Sequence, residues 1–391
     1  MVSGPRASGK TTLLRELQTL VGGTLIDLAD DDVLATVGLD PAGYLQGLPR
    51  PLLIDEYQRL PKILGVVKRL IDDNGQPGDV VLTGSATGAI LPQGTETLAG
   101  RVHEMTLWGL SQGELSGVRE QFIDVAFDHP HDLLHVGLRP EIRSDYLAAV
   151  ARGGFPKAVE REREVARRRW LTDYVGRVID RDLPALVSLR NPQLLGRLLR
   201  ACASRTAQVT NMAEIAQTLS ANPDTVATYV DLLERVFVVE RLPAFSRNLT
   251  SRISKHPKLH MTDSGLAAAL TNLDQASLGR HPVFGAVLET FVVSEIRKQI
   301  GWASTEVTMS HFRDRDGHEV DIILEDSAGR VIAIEVKAAV SVDGDDAAGL
   351  RFLADRLGSD FLQGFVLYTG QATVRINDDR FTATPVSSLW S

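Results

Sequence analysis

Gly4-Pro5-Arg6-Ala7-Ser8-Gly9-Lys10-Thr11 is a complete G-x-x-x-x-G-K-[ST] run, with Thr12 directly behind it. The spacing follows from what a chain needs in order to hold a phosphate. Glycines at Gly4 and Gly9 let the backbone turn tightly, so consecutive amides point inward at an anion. Lys10 is placed to bridge β- and γ-phosphate oxygens, and Thr11 to offer its hydroxyl to Mg2+. A helix from Thr11 to Leu20 would set its positive N-terminal end behind the charge. A Gly/Ser-rich turn ahead of an ordinary helix would share some of these residues, but two further stretches argue against it. Leu52-Leu53-Ile54-Asp55-Glu56 is an apolar run ending in paired acids, the pattern of a buried parallel strand with carboxylates at its C-terminal end. There Asp55 suits the Mg2+ shell and Glu56 the polarisation of an attacking water. Val80-Val81-Leu82-Thr83, followed by Gly84-Ser85, reads as another central strand whose polar tip, Ser85, can sense the γ-phosphate. The three stretches imply an ATP-binding module that contacts nucleotide through Gly4 to Thr12 and Ser85.

A phosphate loop is expected to follow a central strand of about five or six residues. Only Met1-Val2-Ser3 precede Gly4. The expectation is therefore either a natural start upstream or a stub strand that leaves the sheet centre poorly paired, with nucleotide affinity open to test.

The 391 residues are 43% hydrophobic and 24% charged, a globular profile sufficient for two or three domains with buried cores. Cys202 is the single cysteine, which excludes an intrachain disulfide and a cysteine-based metal site and fits a reducing, cytoplasmic setting. No apolar run approaches the about 20 residues of a membrane helix, and no signal peptide opens the chain. The net charge of −8 argues against wholesale coating of nucleic acid while allowing a local basic face.

Residues 1–110 alternate short strands and helices, as in an α/β doubly wound parallel sheet. Asp30-Asp31-Asp32 reads as a solvated helix start. Arg101, after Gly100, suits stabilisation of γ-phosphate charge in its own or a neighbouring subunit; a surface or salt-bridged arginine fits the sequence as well. Gly4–Thr12, Leu52–Glu56, Thr83-Gly84-Ser85, Leu98-Ala99-Gly100-Arg101 and Leu110-Ser111 resemble the AAA-like ATPase module of a large prokaryotic family of ATP-binding proteins with a C-terminal domain of unknown function. Gly153-Gly154-Phe155-Pro156, Arg181-Asp182-Leu183-Pro184 and Thr262-Asp263-Ser264-Gly265-Leu266 resemble it too, so the likeness spans nearly the whole chain apart from the usual N-terminal lead-in.

Residues 111–190 read as a helical lid or connector. Its cluster Arg163, Arg167, Arg168 and Arg169 suits either a nucleic-acid contact or the wet face of a helix with alternating charges. Residues 191–262 have the outline of a winged helix-turn-helix: Met212–Leu219, a tight turn, a helix to Val236, then the strand Phe237–Leu242. The second helix exposes Asp224, Thr225, Thr228 and Asp231, so base reading is weakly supported. Arg241, Arg247, Arg252, Lys255 and Lys258 in the wing region suit phosphate contacts, and a spacer or protein contact fits equally.

In residues 263–391, Val283–Ile300 is expected to be an amphipathic helix carrying Glu289. His318–Glu325 and Val331–Ala339 read as strands around a turn, which places Asp321 opposite Glu335 at about 5 Å between Cβ atoms. Alternation puts Glu335 and Lys337 on one face. Asp–hairpin–Glu-x-Lys resembles the core of the restriction-endonuclease-like superfamily, with Glu289 in the place of its helical acid. That resemblance implies a divalent ion held by Asp321 and Glu335, with Lys337 activating water. An exposed strand face with an ion pair would present the same residues.

The expectation is a P-loop ATPase using ATP and Mg2+, with Lys10, Thr11, Asp55, Glu56 and Arg101 at its centre. Its C-terminal winged-helix and nuclease-like module would act on DNA or RNA, with Glu289, Asp321, Glu335 and Lys337 as a second centre. The alternative is an ATP-dependent switch or scaffold that binds a protein or DNA partner through an inactive nuclease fold. No membrane role is expected, and an oligomer is compatible with the sequence.

Overall fold

In the computed structural model, which describes residues 1–85, 98–135, 139–186, 191–247 and 256–390, strand β1 (Val2–Ser3) leads through the glycine-bounded loop into helix α1 (Lys10–Val21). Then β2 (Thr24–Asp27), α2 (Asp31–Leu39), β3 (Leu52–Asp55), α3 (Ile63–Asn74) and β4 (Val80–Leu82) alternate, and β5 (Met105–Thr106) follows. β3 pairs in parallel with both β2 and β4, and β1 pairs in parallel with β5. A single parallel bridge from Val2 to Thr83 joins the two groups, giving the order β2-β3-β4-β1-β5. A parallel sheet is stable only with both faces covered, so its central strand must be apolar throughout. Leu52, Leu53 and Ile54 of β3 are accordingly buried, and Ile26, Ile54 and Leu82 pack with Ile63, Leu64 and Val67 of α3. β1 is a stub of two residues lying between β4 and β5.

The chain divides into two compact units. One is Met1–Gly109 with two short outlying segments; the other holds most of the described residues from Leu110 onward. In the second unit, α4 (Arg143–Arg152), α5 (Glu164–Arg177) and α6 (Pro192–Ser204) precede β6 (Gln208–Val209), α7 (Met212–Leu219) and α8 (Pro223–Arg235). Asn211 caps α7 by accepting from the Ala213 amide at 3.0 Å. Val226, Tyr229, Val230 and Leu233 form the buried side of α8. β7 (Val239–Leu242) and β8 (Lys258–Met261) complete an antiparallel sheet of order β6-β8-β7.

Asp263 caps α9 (Ser264–Leu270), and α10 (Phe284–Ile300) follows. A six-stranded sheet then forms from β9 (Val307–Arg313), β10 (Glu319–Asp326), β11 (Val331–Lys337), β12 (Phe361–Tyr368), β13 (Val374–Ile376) and β14 (Asp378–Pro385), with α11 (Ala348–Leu357) between β11 and β12. Its order is β13-β14-β12-β11-β10-β9. The β9–β10–β11 pairs are antiparallel, whereas β12 is parallel to β11 and β14.

α10 departs from the expected amphipathic pattern, since Glu289, Thr290, Ser294, Glu295, Lys298 and Gln299 on its polar side are all buried. Burial is tolerated because these groups find partners. Ser294 donates to the Thr262 carbonyl at 3.2 Å, Gln299 to the Leu389 carbonyl at 2.7 Å, and Lys298 pairs with Glu295 at 2.5 Å.

The β10–β11 turn fixes the register of the hairpin. Asp326 Oδ1 accepts from the Ala328 amide at 3.0 Å and the Arg330 amide at 2.7 Å, and Gly329 takes a φ of 81° that a side chain would strain. Pairing of Ile322 with Ile334 then brings Asp321 beside the Glu335 end of β11, where Asp321 Oδ2 accepts from the Val336 amide at 2.9 Å.

Candidate nucleotide site and buried carboxylate cluster

The phosphate loop is shaped by two glycines with positive φ, Gly4 at 150° and Gly9 at 106°. A Cβ on Gly4 would lie 2.2 Å from the Leu107 carbonyl oxygen, so no larger residue fits there. Gly9 stands at the start of α1 without a side-chain cap, and the first amides of a helix have no partner within it. Lys10 is buried, and its ammonium donates to the carbonyls of Gly4 at 2.9 Å and Pro5 at 2.8 Å. Burial pulls its pKa down to about 8, against the opposing pull of Glu56 and Asp55. Ser8 Oγ is buried without a partner, while Arg6, Ala7 and Thr12 are exposed.

Thr11 Oγ1 donates to Asp55 Oδ2 at 2.5 Å, bringing together the two residues expected at the Mg2+ shell. The other oxygen of Asp55 accepts from Thr83 Oγ1 and, at 3.0 Å, from the Glu56 amide. Glu56 has a φ of 53°, a left-handed conformation that a residue with a side chain adopts only under constraint. Gln58 Nε2 donates to Glu56 Oε2 and, at 3.2 Å, to Ser85 Oγ. Ser85 Oγ itself donates to Glu56 Oε2 at 3.4 Å. Gln58 and Thr83 thus orient the two acids. Thr83 ends the expected strand Val80–Thr83 and opens the Thr83-Gly84-Ser85 stretch, whereas Gln58, three residues past Asp55, belongs to no motif read in the sequence. The set fits ATP with Mg2+: a Gly-bounded cradle, a lysine within it, an orphaned hydroxyl, and a Thr–Asp pair of hard oxygen donors.

Arg101 is ion-paired. Its guanidinium grips Asp72 at the end of α3, with Nε–Oδ1 at 2.6 Å and Nη2–Oδ2 at 3.2 Å. This is the salt-bridged arrangement that the sequence left open. Asp30 caps α2 through the Asp32 and Val33 amides, and Asp31 pairs with Arg59 at 2.7 Å.

In the second unit, Glu289 and Asp321 converge on an ammonium instead of on an open position. Lys258 Nζ stands 2.9 Å from Glu289 Oε1, 2.8 Å from Asp321 Oδ1 and 2.8 Å from Glu319 Oε1. Lys258 is 1% exposed, so its expected place on a phosphate-binding wing is corrected: the side chain points inward from β8. Burial opposes its charge, but Asp321, Glu289 and Glu319 outweigh it and raise its pKa above the ordinary lysine value. Burial and the neighbouring Asp321 push Glu289 well above the usual carboxylate range. Glu335 rises to about 8 for the same reasons, and its Oε1 pairs with Lys337 at 3.0 Å while Oε2 is buried without a partner. Lys337 also lies 3.7 Å from Asp346. His260 Nε2, 3.8 Å from Glu289 Oε1, is buried in an environment that keeps the ring neutral, through desolvation first and then the Lys258 charge. Among the described residues, no group of three or more His, Cys, Asp or Glu is set to hold a metal ion.

Two more wing cations are committed internally. Arg241 pairs with Glu234 at 2.5 Å and Asp231 at 2.7 Å, both on α8. Arg247 pairs with Asp360 at 2.9 Å and donates to the Gly329 carbonyl at 3.0 Å. Arg252 and Lys255 lie outside the described residues. In the other basic cluster, Arg167 donates to the Arg161 carbonyl at 3.0 Å. Lys258 was read in the sequence as a wing cation and its inward role was missed, and Glu319 escaped notice, although a glutamate two positions before Asp321 was a visible signal.

Three family models match the chain: an AAA domain over residues 1–116, a domain of unknown function (DUF8612) over 143–277, and a second (DUF4143) over 284–389. The chain joins an AAA domain to a C-terminal domain of unknown function. Uncharacterized proteins of Mycobacterium bovis and Mycobacterium tuberculosis are each 29% identical over 339 residues, covering 86% of this chain and 69% of theirs. Among solved structures, a Walker-type ATPase of Pyrococcus abyssi overlaps 69% of this chain and 89% of its own, at 16% identity and a TM-score of 0.40. The RuvB Holliday junction branch migration motor of Thermotoga maritima overlaps 62% and 81%, at 21% identity and a TM-score of 0.29. Both are distant likenesses. Among the described residues, no helix is long and apolar enough to cross a membrane.

Proposed function

We propose that the AAA domain binds ATP with Mg2+ and hydrolyses it, and that the nucleotide state controls how the C-terminal unit engages a macromolecular partner. The observation that carries the first part is the joint placement of the phosphate loop, the Thr11–Asp55 pair and the Gln58-held Glu56. Lys10 exchanges its carbonyl partners for phosphate oxygens, Thr11 and Asp55 hold the metal shell, and Glu56 orients the attacking water and takes up its proton. Held by Thr11 and Asp55, Mg2+ would supply neutralisation of the charge developing on the phosphates. Ser85, tied through Gln58 to Glu56, links the sensor strand to the catalytic acid.

For the C-terminal unit, the run α10–β9–β10–β11–α11–β12 supports a restriction-endonuclease-like fold, and β6, α7, α8, β7 and β8 support a winged helix. The reading favoured here is an ATP-controlled binding switch, because Arg241, Arg247 and Lys258 are bound to acids of their own chain. A second reading, action on nucleic acid with cleavage at Asp321, Glu335 and Lys337, draws on the closeness of those three residues.

Turnover with Mg2+ in wild type and Glu56→Gln, with and without DNA, tests the proposal. Wild type should hydrolyse ATP, and Glu56→Gln should keep ATP binding while losing turnover by about 100-fold or more. Equal turnover in both would remove Glu56 from the mechanism. Stimulation by DNA would move the second reading ahead of the first.

A further inference from the structure

We propose that the Lys258 ammonium is a built-in cation standing where a nuclease-like carboxylate site would take a divalent ion, so that the C-terminal unit is a metal-independent module that does not cleave phosphodiesters. The inference rests on reading the β9–β12 sheet as nuclease-like and decides between the two uses of it.

The first argument is saturation. An ammonium has three donors, and Lys258 meets three acids, Glu289 from α10 with Glu319 and Asp321 from β10, at 2.8–2.9 Å. The second is distance. Mg2+ and Ca2+ need oxygens at about 2.0–2.6 Å and several further ligands, commonly water. Here the acids surround a nitrogen, and the lysine that carries it is 1% exposed. The third is charge. One ammonium supplies half the charge of a divalent ion, yet it already stands against all three acids, so a divalent ion entering beside it would meet a cation. His260 beside it stays neutral. The lysine also comes from β8 of the small three-stranded sheet, not from the mixed sheet that carries Asp321. It therefore ties two substructures of the unit together.

Mn2+ binding by the full chain, followed by electron paramagnetic resonance without nucleotide, tests this in wild type, Asp321→Asn, Lys258→Ala and Lys258→Ala/Asp321→Asn. Plasmid nicking in Mn2+ is read in parallel. Wild type and Asp321→Asn should bind Mn2+ alike and leave the plasmid intact. Lys258→Ala should gain one site, at least about tenfold tighter than any in wild type, that Asp321→Asn removes. A wild-type Mn2+ site or nicking activity lost in Asp321→Asn would overturn the inference, even if Lys258→Ala fails to fold. A folded Lys258→Ala that gains no site would instead sink the nuclease-like reading on which the inference stands.

Discussion

Two buried lysines organise the two units, and they are held in opposite ways. Lys10 is clasped by the carbonyl dipoles of its own loop, and burial brings its pKa down to about 8. Lys258 is clasped by three carboxylates, which raise its pKa in spite of deeper burial. Carbonyl partners satisfy an ammonium without neutralising it, so Lys10 remains attractive to an incoming anion. Full charges both satisfy and neutralise Lys258, so it has nothing left to offer a ligand. Burial alone does not distinguish a working lysine from a structural one; the formal charge of its partners does.

The largest effect expected from breaking this contrast is on stability. Lys258→Met leaves buried Glu289 and Asp321, with half-buried Glu319 beside them, facing one another without a cation, and denaturant unfolding should show a loss of about 3–5 kcal/mol. A loss below about 1 kcal/mol would mean that the acids reorganise or protonate freely. At the other lysine, Gly4→Ala pushes a Cβ against the Leu107 carbonyl and should weaken ATP binding by about tenfold or more, because the loop must shift to relieve the contact. Unchanged affinity would show that the loop tolerates another path.

A smaller effect sharpens the electrostatics around Lys258. His311 is lowered to about 4, by burial first and then by the Lys258 charge, against the opposing pull of the His256 carbonyl, Glu319 and Asp321. The unfolded chain takes up this proton near pH 6.5, so stability should fall as pH drops from about 6.5 to about 4 and then level off. His311→Gln should flatten that limb, and an unchanged slope would assign it to other groups. The smallest expected change is in Arg101→Ala. Its exposed pairing with Asp72 should leave the unfolding midpoint almost unmoved. A fall in turnover beyond about 100-fold would mean that Arg101 also reaches phosphate during the reaction.

The difference between the units also explains how far each was legible in the sequence. The phosphate loop is a local device whose glycines, lysine and threonine lie in one unbroken run, and β3 announces itself by an apolar stretch ending in Asp55-Glu56. The hairpin register could be read because Asp326 to Arg330 is a self-contained turn. The partners of Lys258 could not, since Glu289 and Asp321 lie 31 and 63 residues away and only folding brings them to β8. Arg241 and Arg247 suggested a basic wing because a count of cations ignores the acids that satisfy them. Asp231 and Glu234 were near enough in sequence to give warning. α10 defeated the periodicity argument because its polar stripe is buried in hydrogen bonds instead of solvated.

The central claim, that Lys10 is poised for an anion while Lys258 is not, is tested most directly by calorimetric titration of Mg2+–ATP into wild type, Lys10→Ala and Lys258→Arg. One binding event is expected in wild type, weakened at least about 100-fold in Lys10→Ala and unchanged in Lys258→Arg. Binding that survives the loss of Lys10, or that depends on Lys258, would contradict the account.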